Sequence, residues 1–186
     1  MVGRIMEVLV DTRHLGDISC DFLGLWHFSD EKPLKELTGL IDWKLDAKIS
    51  QLIISGRITG DWGEKVLLGA LPPLSGVKII IVGIGLMSEC SPQRIKNAAS
   101  LMVGTAMKLK EKNICMALPG MGLIDLDGAD IAEYFLDGLV HVIGKGDFRP
   151  RILCSKEVVD EVLLGMQKTK VKLKGHFQID ITQVER

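Results

Sequence analysis

The sequence has no pair of cysteines at ligand or redox spacing. Cys20, Cys90, Cys115 and Cys154 stand at least 25 residues apart, which excludes a CxxC zinc or thiol–disulfide motif. Cys115 and Cys154 fall inside apolar runs, where a reduced thiol behaves as a small hydrophobe. All four read as free thiols of a reducing compartment. Also missing is any run of ~20 apolar residues, the length a membrane span requires. The apolar start of MVGRIMEVLVDTRH is too short and too soon interrupted for a signal peptide. Charge of one sign is lacking too. With 23 Lys and Arg against 24 Asp and Glu, there is no basic surplus of the kind an obligate nucleic-acid binder shows. A hydrophobic content of 47% excludes disorder, which needs low hydrophobicity and high net charge. These absences predict a soluble, cytoplasmic protein.

Catalytic motifs are missing as well. There is no GxSxG elbow and no GxxxxGK[ST] phosphate loop. His14, His27, His141 and His176 form no HExxH or HxH, and none pairs with a cysteine at ligand spacing. His27, beside Trp26 at a strand end, reads as a packing or surface residue. Asp125, Asp127 and Asp130 have metal-like spacing without the full calcium-loop pattern, and the helix dipole favours carboxylates in a first turn anyway. The expectation is therefore no catalytic residue, no metal and no cofactor.

What is present is one α/β domain. The 186 residues suit a single compact unit, at ~150 residues per domain. Ile5 to Val10 and Asp21 to Phe28 read as strands rich in β-branched and aromatic residues. Pro33 opens a short helical piece that Gly39 should stop, and Asp42 should cap the next helix with its carboxylate. That helix carries Leu45, Ile49, Leu52 and Ile53 as one apolar stripe and ends at Gly56. A strand at Lys65 to Leu68 and a turn at Pro72, Pro73 and Gly76 follow. Lys78 to Val82 and Asn113 to Leu118 are continuous apolar runs, the mark of strands covered on both faces. They are predicted to be adjacent central strands, joined by one right-handed crossover helix. That helix starts at Ser91-Pro92, a cap followed by proline, and presents Ile95, Ala98, Ala99, Met102, Ala106 and Leu109.

A helix from about Asp127 to Ile143 follows, with Ile131, Phe135, Leu139 and Val142 inward. A strand at Arg151 to Cys154 comes next, then a helix capped by Ser155 with Val158, Val159, Val162, Leu163 and Met166 inside. The tail alternates Val171, Leu173, Phe177, Ile179 and Ile181 with polar residues, which predicts a late strand or hairpin. Strands separated by amphipathic helices imply βαβ units in a mixed, mostly parallel sheet flanked by helices.

Two glycine loops follow buried strands and precede helices: Gly83-Ile84-Gly85 and Gly120-Met121-Gly122. Ligands of open α/β sheets sit at the carboxyl ends of strands, and helix N-termini attract phosphate. Gly83, Gly85, Gly120 and Gly122 are thus candidate ligand-binding residues. The competing reading is that they only make tight turns. No basic residue follows either loop in a place to meet a phosphate, and Asp125 and Asp127 follow the second. Lys168, Lys170, Lys172 and Lys174 recur at every second position. On a strand they would share one face, as a solvated edge or a contact for an anionic partner.

A longer stretch carries a family resemblance. Gly39-Leu40-Ile41-Asp42-Trp43-Lys44-Leu45 runs on through Ile49-Ser50-Gln51-Leu52-Ile53 to Gly56-Arg57-Ile58-Thr59-Gly60 and Gly63-Glu64-Lys65-Val66-Leu67-Leu68. With the strand ending Val82-Gly83-Ile84-Gly85, the Ala-rich helix after it, Leu118-Pro119, Ala132-Glu133 and Gly138-Leu139, this resembles the N-terminal domain of the leucine aminopeptidase family over roughly residues 5 to 154. The resemblance implies a three-layer, macro-domain-like fold. In that family the domain precedes a larger one holding two metal ions, whose N-T-D-A-E-G-R signature is nowhere in this sequence, so no residue carries over as catalytic. Asp21-Phe22-Leu23-Gly24 also lacks the asparagines that mark ADP-ribose-binding macro domains.

The resulting expectation is a stand-alone, non-catalytic relative acting in protein–protein association or regulation, with a protein partner or a second copy of itself. The alternative is a binder of a small nucleotide-like or other anionic ligand at the glycine loops. A third reading, a DNA-contacting accessory domain, would need a basic surface joining Lys145, Arg149 and Arg151 to the tail lysines.

Overall fold

The computed structural model describes residues 5–69, 74, 76–143 and 148–185. The expected turn residues Pro72 and Pro73, and Lys145, lie outside them. Among these residues seven strands form one sheet: β1 (Ile5–Asp11), β2 (Phe22–Phe28), β3 (Lys65–Leu68), β4 (Lys78–Gly85), β5 (Asn113–Met116), β6 (Arg149–Leu153) and β7 (Gln178–Val184). Their spatial order is β3-β4-β2-β5-β6-β1-β7. Every pairing is parallel except β3 with β4. Among the described residues five α-helices complete the fold: α1 (Glu36–Lys44), α2 (Lys48–Ile54), α3 (Pro92–Lys108), α4 (Gly128–Ile143) and α5 (Val159–Leu173).

The strands sort their side chains by parity, as a pleated backbone must. On β2, Phe22, Trp26 and Phe28 join the core under α3, α4 and α5, while Leu23 and Leu25 join a second core under α1 and α2. On β4, Ile80, Val82 and Ile84 go one way and Ile79 and Ile81 the other. The unbroken apolar run from Ile79 to Val82 is thus the sequence trace of a strand covered on both faces. This is a three-layer, macro-domain-like α/β fold, mostly parallel.

Several local expectations need correcting. β4 and β5 are not neighbours, because β2 lies between them and pairs with both. Both strands are internal, and apolarity reports burial without reporting who the neighbour is. α1 runs through Gly39 instead of stopping there. A β-carbon on Gly39 would come within 2.6 Å of the Leu34 carbonyl oxygen, so glycine there answers a close approach. The expected strand at Val171 and Leu173 is the end of α5, and only the part from Gln178 onward is a strand. The expected one-sided row of lysines is broken with it: on the helix Lys168 and Lys172 share the face toward Asp130 and Glu133 of α4, while Lys170 points away, toward Asp180. Ser155 precedes α5 by a turn and is not its cap, which is Val158.

Where the caps are right, they are right for the expected reason. Ser91 Oγ accepts from the Arg94 amide at 3.3 Å, with Pro92 at the first position of α3. Asp42 caps α2 from an unexpected distance. It sits inside α1, and its Oδ1 accepts from the amides of Ile49 at 2.7 Å and Ser50 at 3.0 Å.

Candidate functional site

The chain leaves β4, crosses over β2 as α3 and returns as β5 on the other side, so β2 marks a switch point where a crevice is expected at the carboxyl ends of the strands. One is found there. Trp26, Phe28, Glu31, Lys35, Thr38 and Gly120 are among the residues that line this shallow crevice. Its polar groups are largely committed. Trp26 Nε1 donates to the Ala117 carbonyl at 2.8 Å, and Thr38 Oγ1 donates to the Trp26 carbonyl at 2.7 Å. The buried Glu31 carboxylate accepts from the amides of Lys35 at 2.8 Å and Phe28 at 3.4 Å.

The four candidate glycines do not gather around this crevice. Gly120 alone lines it. Gly120 has φ 75°, and its carbonyl accepts from the amides of Leu123 and Ile124, closing the turn out of β5. Gly122 has φ 68°, and a β-carbon there would have only Glu36 Oε1 nearby, at 4.0 Å. Gly83 and Gly85 belong to β4, with the segment 59–64 laid across them. The Gly83 amide donates to the Glu64 carbonyl at 2.9 Å, the Gly85 amide to the Gly60 carbonyl at 2.8 Å, and the Gly63 amide to the Gly83 carbonyl at 3.1 Å. The amides of the first loop are therefore spent on backbone.

A basic group does reach Gly85, against expectation. Arg94, from the first turn of α3, donates to the Ile84 carbonyl at 3.3 Å and to Glu89 at 2.9 Å, and stacks on Trp62 with its guanidinium carbon 5.2 Å from the ring centre. Its sequence distance from the loop hid it, since the 3-10 turn at Met87–Glu89 brings it back. Its charge is answered by Glu89.

Other expected residues separate. Asp127 caps locally, its Oδ1 accepting from the Ala129 amide at 2.8 Å, and Asp130 faces Lys168 at 3.5 Å. No group of three or more His, Cys, Asp or Glu able to hold a metal ion occurs among the described residues. His27 is fully buried, and neither ring nitrogen has a hydrogen-bond partner among them; Nδ1 is 3.8 Å from Glu31 Oε2. The basic residues of the DNA reading face carboxylates: Arg149 lies 3.7 Å from Glu7, Lys170 3.9 Å from Asp180 and Lys172 3.9 Å from Glu133.

A second polar cluster had no sequence signal. Asp11, at the end of β1, has no exposed surface. Arg13 Nε and Nη2 donate to it at 3.0 and 2.7 Å, and Arg151 of β6 donates to its Oδ2. Burial pushes this carboxyl up, but the hydrogen bonds from Arg13 and Arg151 outweigh it and hold the pKa at about 2. Arg151 is the register partner of Cys115, and the Cys20 thiol donates to the Phe22 carbonyl at 3.2 Å.

The cytosol aminopeptidase family model for the N-terminal domain matches residues 23–142. The chain belongs to this family. A protein named "Probable cytosol aminopeptidase" from Alkaliphilus oremlandii is 24% identical over 141 residues, covering 71% of this chain and 28% of that protein. The chain thus spans little more than a quarter of that relative's length. A mutant of the tomato leucine aminopeptidase superposes with a TM-score of 0.59 at 18% identity, over 86% of this chain and 35% of that one. The Trypanosoma brucei macrodomain in complex with ADP-ribose superposes with a TM-score of 0.66 at 10% identity, over 83% of this chain and 67% of that one. These likenesses establish the macro-domain-like fold. Among the described residues no helix is long and apolar enough to cross a membrane.

Proposed function

We propose that this chain is a non-catalytic association module of the cytosol aminopeptidase N-terminal type, that its partner is a second copy of itself, and that the outer side of α1 and α2 is the contact. The observation that supports this reading is Trp43, which is 77% exposed on α1. Leu40, three residues earlier and so on the same helix face, is exposed too, as is Ile54 at the end of α2. Large exposed apolar side chains sharing a helix face mark interaction sites, and tryptophan is enriched among the anchors of such contacts. A helix packed on its own copy about a two-fold axis buries the same residues on both sides. A reducing, cytoplasmic setting belongs to the proposal and suits four free cysteines. Sedimentation equilibrium tests it. The wild-type chain should dimerise, and Trp43→Gln combined with Leu40→Gln should leave a folded monomer. A wild-type monomer at every soluble concentration would overturn it.

The crevice beside Gly120 favours a second reading, in which a small nucleotide-like ligand binds at the ends of β2 and β5. Against it stand Glu31 and Glu36 in the wall, which repel an anion, and the spent amides of Gly83 and Gly85. Calorimetry of the wild-type chain with ADP-ribose should give no saturable heat. Saturable heat that disappears in Gly120→Val would put this reading first.

A further inference from the structure

The outer side of α1 carries charge as well as apolar bulk. Glu36, Leu40, Trp43 and Lys44 stand at i, i+4, i+7 and i+8, which is one face of a helix. Thr38, Ile41 and Asp42 are buried on the other. Glu36, Leu40 and Trp43 are exposed, and Lys44 is half-buried. The face therefore has an acidic residue in its first turn and a basic one in its last, with Leu40 midway between them. The two charges stand about 12 Å apart along the axis, too far to pair with each other. Among the described residues neither forms an ion pair within its own chain. By contrast Lys78, Lys96, Lys168 and Lys172 each face a carboxylate.

We propose that Glu36 of each copy pairs with Lys44 of the other, and that these two pairs hold the α1 helices antiparallel with Leu40 at the two-fold axis. This rests on the self-association through α1 and α2 proposed above and gives it a register. A two-fold axis perpendicular to the helices turns the second helix end for end. Leu40 is four residues from each charge, so placing it on the axis brings the Glu36 end of each helix beside the Lys44 end of the other. An axis along the helices would set Glu36 beside Glu36 and Lys44 beside Lys44. Like charges facing each other across a contact oppose that arrangement. The helix dipoles favour the same choice, since each N-terminus then lies beside a C-terminus. Other nearby charges do not compete. Lys35 and Glu36 both border the crevice, but only Glu36 is in register with Leu40. Asp46 and Lys48, just past the end of α1, offset one another.

The test is sedimentation equilibrium of the wild-type chain, Glu36→Lys, Lys44→Glu, the double variant with both changes, and an equimolar mixture of the two single variants. Each single variant should raise the dimer dissociation constant on the order of tenfold, because two attractive contacts become repulsive. The double variant restores both pairs with reversed sign and should return to the wild-type value. Its recovery also excludes misfolding as the cause of the single losses. The mixture should form a heterodimer as tight as the wild-type dimer. Added salt should weaken the wild-type dimer and strengthen those of the single variants.

The proposal is overturned if the single variants dimerise as tightly as the wild type, or if the double variant is as weak as the singles. In a parallel pair the mixture would bind more tightly than the wild type, so the mixture decides even if the double variant folds poorly. A wild-type dimer that ignores these charges but is lost with Trp43→Gln and Leu40→Gln would sink the register and leave self-association standing. A wild-type monomer would sink both.

Discussion

The α-carbon of Gly83 faces the carbonyl oxygen of Asp61 so closely that a β-carbon there would overlap it. The glycine exists to let the segment 59–64 lie across β4. Gly83→Ala should therefore destabilise the fold by about 2 kcal/mol or more, because backbone cannot give way as a flexible side chain does. Gly122→Ala has open space and only its φ of 68° against it, which costs roughly 1 kcal/mol. Urea unfolding of the two variants checks the order. An equal loss for both would mean that segment 59–64 yields.

Asp42 holds two helices with one carboxylate. It accepts from the first-turn amides of Ile49 and Ser50 in α2 and from Ser50 Oγ at 2.5 Å while sitting in α1. Asp42→Ala removes that cap and leaves the amides at the start of α2 without it, at a cost of about 2 kcal/mol. Asp42→Asn keeps an acceptor and should recover part of the loss. Denaturant midpoints for the pair decide it; identical midpoints for Ala and Asn would show the charge to be the whole effect.

The fold was legible where one signal has one physical cause. Continuous apolar runs gave the internal strands, and Ser91-Pro92 gave the start of α3. Strand order was not legible, since Ile79 to Val82 looks the same beside β2 as beside β5. The tail misled because Val171 and Leu173 alternate for two periods before the chain commits to a strand at Gln178. The polar clusters were the least legible. Asp11 and Arg151 stand 140 residues apart, and nothing local distinguishes that aspartate from a strand-ending one in solvent. The glycines were legible as positions of constraint, but sequence does not say whether ligand or backbone makes the close approach.

His27 carries two ring nitrogens without hydrogen bonds in a fully buried site, with its Cδ2 2.9 Å from where a β-carbon on Gly60 would lie. Buried polar atoms left unpaired cost free energy that an apolar side chain of similar size avoids. His27→Leu should thus be neutral or stabilising, by up to about 1 kcal/mol. Thermal unfolding at neutral pH measures it. A clear drop in Tm would mean that the ring makes a contact worth more than its desolvation costs.

Asp11 makes stability depend on acid. Its folded pKa of about 2 lies below the ordinary 3.8, so the charged carboxylate favours the folded state. That contribution is fully present above pH 4 and is lost as pH falls through about 2. The shift corresponds to about 2 kcal/mol. Asp11→Asn should lose more than this at pH 5, because Arg13 and Arg151 keep their charges without the anion between them. Between pH 4 and 2 the variant should fall less steeply than the wild type, since one of the groups that drives the fall is gone. Urea unfolding of both proteins across this range gives the two slopes. Parallel slopes would show that Asp11 does not gain its charge-state preference on folding, whatever its hydrogen bonds contribute to the native structure.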